Sequence, residues 1–570
     1  MSDSRPLERW VPGVRALRTY ERASLRPDLV AGIVLAAILV PQGMAYAQLA
    51  GLPAVTGLYT TIACLVGYAL FGPSRVLVLG PDSSISPLIL AAITPLLAGG
   101  SEGTAIALAG LLAILVGLTE IGLGLGKLGF VADLLSKEVQ VGYMNGLAIT
   151  IIVGQLPKLF GFSTSADSFL KEVRVFFEGL DQTSSTTLLV GLAVLVGLLV
   201  LPRLTRRVPA VLVAVVAATA VSALLDLSSH GVDTVGSLPQ GVPSPSFPWT
   251  SAKDVGPLLV AAVGITLVSL TDTIATATSF AARRGDEVRP NQEMIGMGAA
   301  NLAAGLFQGF AVSTSGSRTA VAEQSGARSQ LSNLVGAGLV AALLLFLNSL
   351  LADLPQCALA AIVIVAALSL TDVAVLRRYL EVRRSAFAVS LVASAGVILL
   401  GVLQGIVVAV ALAILLFFRR NWWPHGAVLG RVDDVEGWHD LGAHPDAEQL
   451  PGVVVYRWEA PLFFANAGSF REQIRKLARE REPRWIVLQC EAVTDVDVSA
   501  AEMLEQLDNE LNAEGIHLAF AELRTRLQEL TLRYGLMETL DRDHFYPTLE
   551  AALVAIASEP TEPRPEDRPG

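Results

Sequence analysis

Charged side chains are scarce in this sequence of 570 residues. Only 16% of the residues are Asp, Glu, Lys or Arg and 52% are hydrophobic, whereas charged residues make up about 25% of a typical soluble protein. This composition excludes an ordinary soluble protein, a disordered chain and a collagen-like chain. The charged fraction is about 12% in residues 1–425 and about 29% in residues 426–570. We therefore expect a membrane-embedded body followed by a soluble domain.

Positive charge is scarce in the soluble part. Residues 426–570 contain 14 Lys and Arg against 28 Asp and Glu, which makes the net charge of the whole chain −11. A nucleic-acid-binding surface needs clustered Lys and Arg to neutralise phosphates. Nucleic acid is therefore not expected as a partner.

Cysteines and catalytic motifs are also lacking. Cys64, Cys357 and Cys490 are too few and too far apart for a disulfide framework or a zinc site, so we expect three buried, unpaired thiols. The six histidines show no ligand spacing, and no nucleophile elbow is present. The segment GLGLGKLG at 122–129 lacks the spacing and the Ser or Thr of a phosphate loop. These absences argue against an enzyme and against a metal or organic cofactor.

Apolar segments dominate the first three quarters of the chain. About 20 apolar residues are needed for a helix to cross a bilayer, and fourteen candidates occur, several of them marginal. They lie near 28–46, 54–71, 83–98, 104–125, 131–156, 185–201, 208–225, 256–281, 292–309, 316–326, 331–353, 356–370, 386–400 and 402–418. The first lacks the short core and cleavage site of a signal peptide, so the arginine-rich segment 1–26 is expected to stay in the mature protein.

The basic residues indicate an orientation. Lys and Arg concentrate in alternate loops, as at Arg203, Arg283, Arg328 and Arg384, and short basic loops lie on the cytoplasmic side of a membrane. The proline-rich loop at 226–255 has one Lys and falls outside. Both termini are therefore expected in the cytoplasm.

Two of the apolar segments are interrupted. Residues 76–90 read VLVLGPDSSISPLIL and residues 307–320 read FQGFAVSTSGSRTA, and each is a short β-type run followed by the start of a helix. A helix that begins at membrane depth must border a buried cavity, because lipid cannot pair its free amides. Two such breaks in matching places are typical of an inverted-repeat transporter with its site at the midplane. We predict a polytopic α-helical membrane protein of fourteen spans in a 7+7 inverted repeat.

The last part of the chain has a different pattern. From about Gly452, short β-type runs alternate with helical spacing, which predicts a small α/β domain. The predicted divisions are an N-terminal segment at 1–26, a membrane domain at 27–424, a linker at 425–450, the α/β domain at 451–556 and a disordered, Pro-rich tail at 557–570.

Four motifs carry a resemblance to a known family. They are PQGMAYAQLAGLPAVTGLY at 41–59, GPDSSIS at 80–86, PNQEMIGMGAANLAAGLFQGF at 290–310 and STSGSRTAVAEQSGARSQLS at 313–332. With these motifs the body resembles the sulfate permease (SulP) family of anion transporters, and the tail resembles its STAS domain. The resemblance implies core and gate domains, elevator-like movement of an anion and a homodimer.

The resemblance also implies an anion site at the two helix starts. Free amides and the helix dipole hold anions at such a start, and Arg318 would add a formal positive charge. The implied anion-binding residues are Gln42, Tyr46, Asp82, Ser83, Ser84, Ser315, Gly316, Ser317 and Arg318. The alternatives are that the serines only cap their helices and that Arg318 extends to the membrane interface.

Two acidic residues have separate roles in this interpretation. Asp272 and Thr276 lie on one helix face, and the resemblance assigns them to coupling with H+ or Na+; the alternative is a structural role for Asp272. Asp82 either caps its helix or titrates during transport.

The α/β domain has one candidate modification site. The resemblance makes Ser499 a possible phosphosite, and the alternative is that Ser499 caps its helix. A cytoplasmic protein partner at this domain is possible.

Together these features predict a secondary active transporter of a small anion in the inner (plasma) membrane. Sulfate is the first expectation, and bicarbonate or a C4-dicarboxylate is the rival substrate. The sequence also allows a nucleobase symporter, or a membrane-anchored regulatory scaffold that acts through the STAS domain. Because the sequence contains no ATP-binding element, uphill transport would depend on a proton or sodium gradient.

Overall fold

The computed structural model describes residues 11–97, 100–130, 135–164, 168–205, 209–432, 435–540 and 542–558. The chain forms two compact units, Met1–Ala413 and Ile414–Gly570. Each unit is described by itself.

The first unit is helical, and the described part of each predicted apolar segment overlaps a helix; the last of these helices crosses the boundary into the second unit. The helices are α1 (Pro12–Arg18), α2 (Leu25–Leu49), α3 (Ala54–Phe71), α4 (Ser86–Leu97), α5 (Glu102–Leu125), α6 (Lys137–Phe160), α7 (Phe169–Glu178), α8 (Ser185–Leu204), α9 (Ala210–Leu224), α10 (Ala252–Arg284), α11 (Pro290–Leu306), α12 (Gly316–Gln324), α13 (Leu331–Phe346), α14 (Gln356–Leu370), α15 (Val373–Val382), α16 (Arg384–Leu400) and α17 (Val402–Trp422). Within the described residues, eight helical segments are long and apolar enough to cross a membrane. Helices α4 and α12 are shorter because extended chain precedes each of them.

The helices of this unit form two groups. Helices α2 to α5 pack with α10 to α13, and α6, α8 and α9 pack with α14 and α16. In the first group α5 and α11 approach backbone to backbone: a Cβ on Gly117 would lie 2.6 Å from the Gly298 carbonyl oxygen, and one on Gly110 would lie 3.1 Å from that of Gly305. Small residues at such contacts are how membrane helices achieve close packing.

The two predicted breaks meet in the interior of the first unit. Strand β1 (Leu79–Gly80) pairs antiparallel with β2 (Ser313–Thr314), and all four residues are buried. Side chains also form hydrogen bonds with the backbone near these strands: Thr60 Oγ1 accepts a hydrogen bond from the Phe310 amide at 3.1 Å. The interrupted segments thus satisfy the requirement that buried backbone groups be hydrogen-bonded.

The second unit is an α/β domain built on six strands in the order β4-β3-β5-β6-β7-β8. Its strands are β3 (Gly426–Arg431), β4 (Trp438–Asp440), β5 (Val453–Trp458), β6 (Trp485–Gln489), β7 (His517–Ala521) and β8 (Phe545–Tyr546), and its helices after α17 are α18 (Ala467–Arg481), α19 (Val498–Ala513), α20 (Thr525–Arg533), α21 (Leu536–Thr539) and α22 (Leu549–Ser558). Strands β5 to β8 are parallel, while β3 is antiparallel to both of its neighbours. Apolar side chains cover both faces of the sheet, as parallel strands require.

The predicted linker at 425–450 is wrong, because it contributes β3 and β4 to this sheet. Ala427 and Leu429 of β3 are buried against β5. This alternation of buried residues is hard to recognise in the sequence, because the strand is short and lies near Gly, His and Asp residues. At the other end, α22 continues to Ser558, two residues into the predicted tail, and residues 559–570 lie outside the described part of the chain.

The prediction for the three cysteines is confirmed. Cys64, Cys357 and Cys490 are free thiols and all are buried. In the second unit, burial raises the pKa of the Cys490 thiol to about 12, so its reactive thiolate form is rare at neutral pH.

Candidate functional site

A cavity of about 580 Å³ lies between the two helix groups of the first unit. One wall comes from α2, the chain before α4, α10 and the start of α12, and the other comes mainly from α6, α8, α9 and α14. Nine of the predicted site residues line it, namely Gln42, Tyr46, Asp82, Ser83, Asp272, Thr276, Ser315, Gly316 and Ser317. Residues that are far apart in the chain therefore meet at one place.

The start of α12 is open toward this cavity. Ser315 is the N-cap, and its Oγ accepts a long hydrogen bond of 3.4 Å from the Arg318 amide. The hydroxyls of Ser315 and Ser317 are 3.0 Å apart, and Gly316 and Ser317 are exposed. These neutral hydroxyls and first-turn amides therefore form a site that can hold a small anion.

The start of α4 is closed by contrast. The Asp82 carboxylate accepts hydrogen bonds from the Ser84 amide at 3.0 Å and from the Ser84 hydroxyl at 2.9 Å, and Asp82, Ser83 and Ser84 are all buried. Asp82 thus caps the turn that opens α4, as the capping alternative predicted. Ser84 is bonded to Asp82 and is not among the residues that line the cavity.

Arg318 is buried behind the cavity. Its side chain is 1% exposed, its Nη1 donates to the Pro81 carbonyl at 2.6 Å, and its Nη2 lies 3.6 Å from Asp82 Oδ2. The alternative in which Arg318 extends to the membrane interface is therefore wrong. Its charge is held next to Asp82, and Arg318 lines an adjoining cavity instead of the first one.

Asp272 lies on the same wall as Ser315 but on helix α10. Gln140 of α6 donates to Asp272 Oδ1 at 3.3 Å and so connects the two helix groups. Gln140 and the cavity-lining Thr314 were missed at the sequence level. A polar residue in an apolar helix was the available signal for Gln140, but its partner is 132 residues away.

The formal charges around the cavity do not cancel. Arg318 offsets Asp82, and Asp272 forms no ion pair within the described part of the chain. A carboxylate in an apolar body is unfavourable unless it is protonated or accompanied by a cation. An anion that enters beside an ionised Asp272 is repelled, so a proton or a cation on Asp272 would favour its binding.

The cavity continues into a second one of about 580 Å³. The two share Gln42, Val211 and Ser317, and the second reaches the ends of α8 and α12 at Thr205 and Gln324. Ser317 therefore stands where the two spaces join.

The candidate phosphosite lies on the second unit. Ser499 is the second residue of α19 and its side chain is exposed. Asp497 is the N-cap, since its Oδ1 accepts from the Ala500 amide at 2.8 Å. Capping by Ser499 is therefore wrong, and phosphorylation of Ser499 stays a prediction.

Comparison with known proteins defines the class to which this fold and site belong. The model of the sulfate permease family matches residues 25–393, and the model of the STAS domain matches residues 444–552. The chain belongs to the sulfate permease family of membrane anion transporters, as the sequence motifs indicated.

Individual relatives match over nearly the whole chain. A probable sulfate transporter of Mycobacterium tuberculosis is 42% identical over 96% of this chain and 98% of its own length. Sulfate transporter 4.1, chloroplastic, of Arabidopsis thaliana is 31% identical over 95% of this chain and 82% of its own. The structure of murine solute carrier 26 family member A9 superposes with a TM-score of 0.88 at 24% identity, covering 98% of this chain and 96% of that one, which shows the shared fold.

Proposed function

We propose that this chain is a secondary active transporter that carries sulfate together with H+ or Na+ across the inner membrane. Two relatives that match most of the chain are named as sulfate transporters. The observation that carries the proposal is the shared cavity, in which the open start of α12 faces the same space as Asp272.

The proposed division of roles follows from charge. The amides and hydroxyls of Ser315, Gly316 and Ser317 hold the anion without a full ion pair. Asp272, with Thr276 one turn further along α10, binds the coupling ion and removes the negative charge that would repel the anion. Gln42 and Tyr46 complete the cavity wall on α2.

The orientation and the assembly belong to the same proposal. Basic loops support a cytoplasmic position for both termini, and the family resemblance supports a homodimer and a protein partner at the STAS domain. An inverted repeat of fourteen spans is supported by the fourteen matching helices and by the antiparallel pairing of β1 with β2.

Uptake of labelled anions into proteoliposomes tests the proposal. The full chain is reconstituted, and accumulation of sulfate, bicarbonate and succinate is measured under an imposed proton or sodium gradient. We expect saturable sulfate accumulation under one of the two gradients. Accumulation of bicarbonate or succinate alone would overturn sulfate as the substrate, and no accumulation by folded protein would favour the regulatory scaffold.

Two variants with matched controls connect the uptake to the site. Asp272→Asn should abolish the response to the ion gradient, whereas Asp286→Asn, at an exposed position just beyond the same helix, should not change it. Ser317→Ala should weaken sulfate uptake, and the exposed Ser349→Ala should not. Equal effects in site and control variants would contradict the proposed roles.

A further inference from the structure

Another buried carboxyl group of the first unit, Glu120, lies among α5, α10 and α11, away from the residues that line the anion cavity. Glu120 is on α5, a helix long and apolar enough to cross a membrane, and it is 0% exposed. The cavity that holds the candidate anion site is not lined by Glu120. An ionisable residue inside a membrane protein is costly and usually has a function.

The partners of Glu120 are all neutral. Ser269 of α10 donates its hydroxyl to Glu120 Oε1 at 2.7 Å, and Asn301 of α11 donates its amide to Oε2 at 2.8 Å. Among the described residues Glu120 forms no ion pair. Two neutral hydrogen bonds do not compensate for burying an ionised carboxylate, so the neutral acid is the stable form here.

The hydrogen bonds fit a protonated acid. Asn301 Oδ1 accepts from the Val312 amide at 2.8 Å, which fixes the amide so that its NH2 group faces Glu120. The Ser269 hydroxyl also lies 3.3 Å from the Thr266 carbonyl. It can donate there while it accepts the proton of Glu120, and every polar atom of the group is then satisfied.

The surroundings leave no room for a hydrated ion. One turn before Glu120, a Cβ on Gly117 would lie 2.6 Å from the Gly298 carbonyl oxygen, and a Cβ on Gly298 would lie 3.0 Å from the Ile121 amide. Because the backbones of α5 and α11 touch here, the ligand that fits is a proton.

We propose that Glu120 is a proton-binding site separate from Asp272, and that ionisation of Glu120 weakens the anion site. Asn301 connects the two places, since the Val312 amide that it holds directly precedes β2, and β2 leads into Ser315. An ionised Glu120 requires water or further hydrogen-bond donors. Their entry separates α5 from α11 and breaks the hydrogen bond from the Val312 amide to Asn301. The proposal rests on the proposed function only where sulfate binding is the quantity measured.

Other titratable groups on the helices packed against Glu120 must be considered. Asp272 lies one turn along α10 from Ser269, and Glu293 of α11 accepts from Tyr68 at 2.6 Å. The remaining groups, near the helix ends, are Glu102 on α5 and Lys253, Asp254, Arg283 and Arg284 on α10. Asp272 is the one that shares the anion cavity, so the test must remove its titration.

Infrared spectroscopy of the full chain in lipid tests the proton directly. In an Asp272→Asn background, the spectrum at about pH 7 should contain a carbonyl-stretch component of a protonated carboxylic acid that disappears when Glu120→Gln is added and persists when Glu102→Gln, an exposed control on the same helix, is added instead. Should Glu120→Gln fail to reach the membrane, Ser269→Ala replaces it and should shift the band, because the acid loses its hydrogen-bond acceptor. A spectrum unchanged by these variants would overturn the proposal.

Sulfate binding measured against pH tests the coupling. In an Asp272→Asn background the Kd for sulfate should rise at least about fivefold between about pH 7 and about pH 10, and less than about twofold when Glu120→Gln is added. An equal rise in both proteins would overturn the link to the anion site. If the native chain does not bind sulfate either, the proposed function fails, and the infrared band alone decides whether Glu120 holds a proton.

Discussion

The two helices that begin inside the membrane unit share a backbone plan but differ in the chemistry of their first residues. Each follows a two-residue strand, and the two strands pair with each other. At α4 the buried Asp82 carboxylate accepts a hydrogen bond from the Ser84 amide, whereas at α12 neutral serines leave Gly316 and Ser317 open to the cavity. An acid at the first start would compete with an anion for the same amides, so the proposed function assigns the anion to the second start.

Arg318 sharpens this difference. It lies on α12, yet its guanidinium reaches back to Pro81 and Asp82 at the other helix start. The formal positive charge therefore stabilises the closed end, and in the proposed function the open end would attract an anion through its amides and hydroxyls.

The largest effect is expected from Arg318→Ala. It leaves Asp82 buried without a positive partner, and removing one member of a buried pair costs about 3–5 kcal/mol. We expect a strongly reduced thermal midpoint and little folded protein in the membrane. The exposed Arg328→Ala is the control, and an Arg318→Ala protein as stable as this control would break the account of the closed end.

Ser317→Ala should separate the two helix starts in transport. Loss of one hydroxyl that contacts the anion should raise KM for sulfate about tenfold, or about 1.4 kcal/mol. Ser83→Ala at the buried first start should raise KM less than about twofold. The measurement is initial uptake into proteoliposomes, and a larger effect of Ser83→Ala would reverse the assignment.

Asp82→Asn tests the start of α4 with a smaller change than Arg318→Ala. Asn keeps an oxygen that accepts from the Ser84 amide, and Arg318 keeps its hydrogen bond to the Pro81 carbonyl, while the negative charge beside the cavity is lost. We expect uptake to persist, its dependence on pH to flatten and KM to fall by about threefold because repulsion of the anion decreases. Unchanged pH dependence, measured as uptake across a series of external pH values, would remove Asp82 from any titrating role.

The smallest effect concerns a helix start in the second unit. Asp497 caps α19 as Asp82 caps the turn before α4, and it also accepts from the Phe464 amide at 2.9 Å. Asp497→Ala should therefore reduce the free energy of unfolding by about 1 kcal/mol. Ser499→Ala, at the neighbouring exposed position, should change it by less than about 0.5 kcal/mol, and a reversed order in denaturant unfolding would contradict the assignment of the cap.

Hydropathy predicted the helices well because long apolar runs bounded by basic loops leave few alternatives. The strands β3 and β4 were missed, since the pairing of β3 with β4 and β5 joins segments too short to carry a clear period of two. Helix starts at membrane depth were visible because a Gly-Pro pair and a run of Ser, Thr and Gly interrupt two apolar segments. Their antiparallel contact is a tertiary fact that no local pattern contains.

The site residues were predictable in part for the same reason. Motifs located the residues that line the cavity, but the direction of each side chain depends on packing. Arg318 was expected to serve the anion, which stays a prediction, and its pairing with Asp82 was not foreseen. Gln140 became visible only when α6 was placed beside α10. Glu120 stood in an apolar run, but its neutral partners on two other helices required the structure.

Protection of a single engineered thiol at the open helix start tests the central claim most directly. The three native cysteines are buried, so Ser317→Cys provides one thiol open to the cavity, and Ser349→Cys provides an exposed control away from it. We expect sulfate to slow labelling of Ser317→Cys by a small thiosulfonate reagent at least about fivefold while labelling of Ser349→Cys is unchanged. Labelling of Ser317→Cys that sulfate does not slow, in a protein that still accumulates sulfate, would contradict binding of the anion at the start of α12.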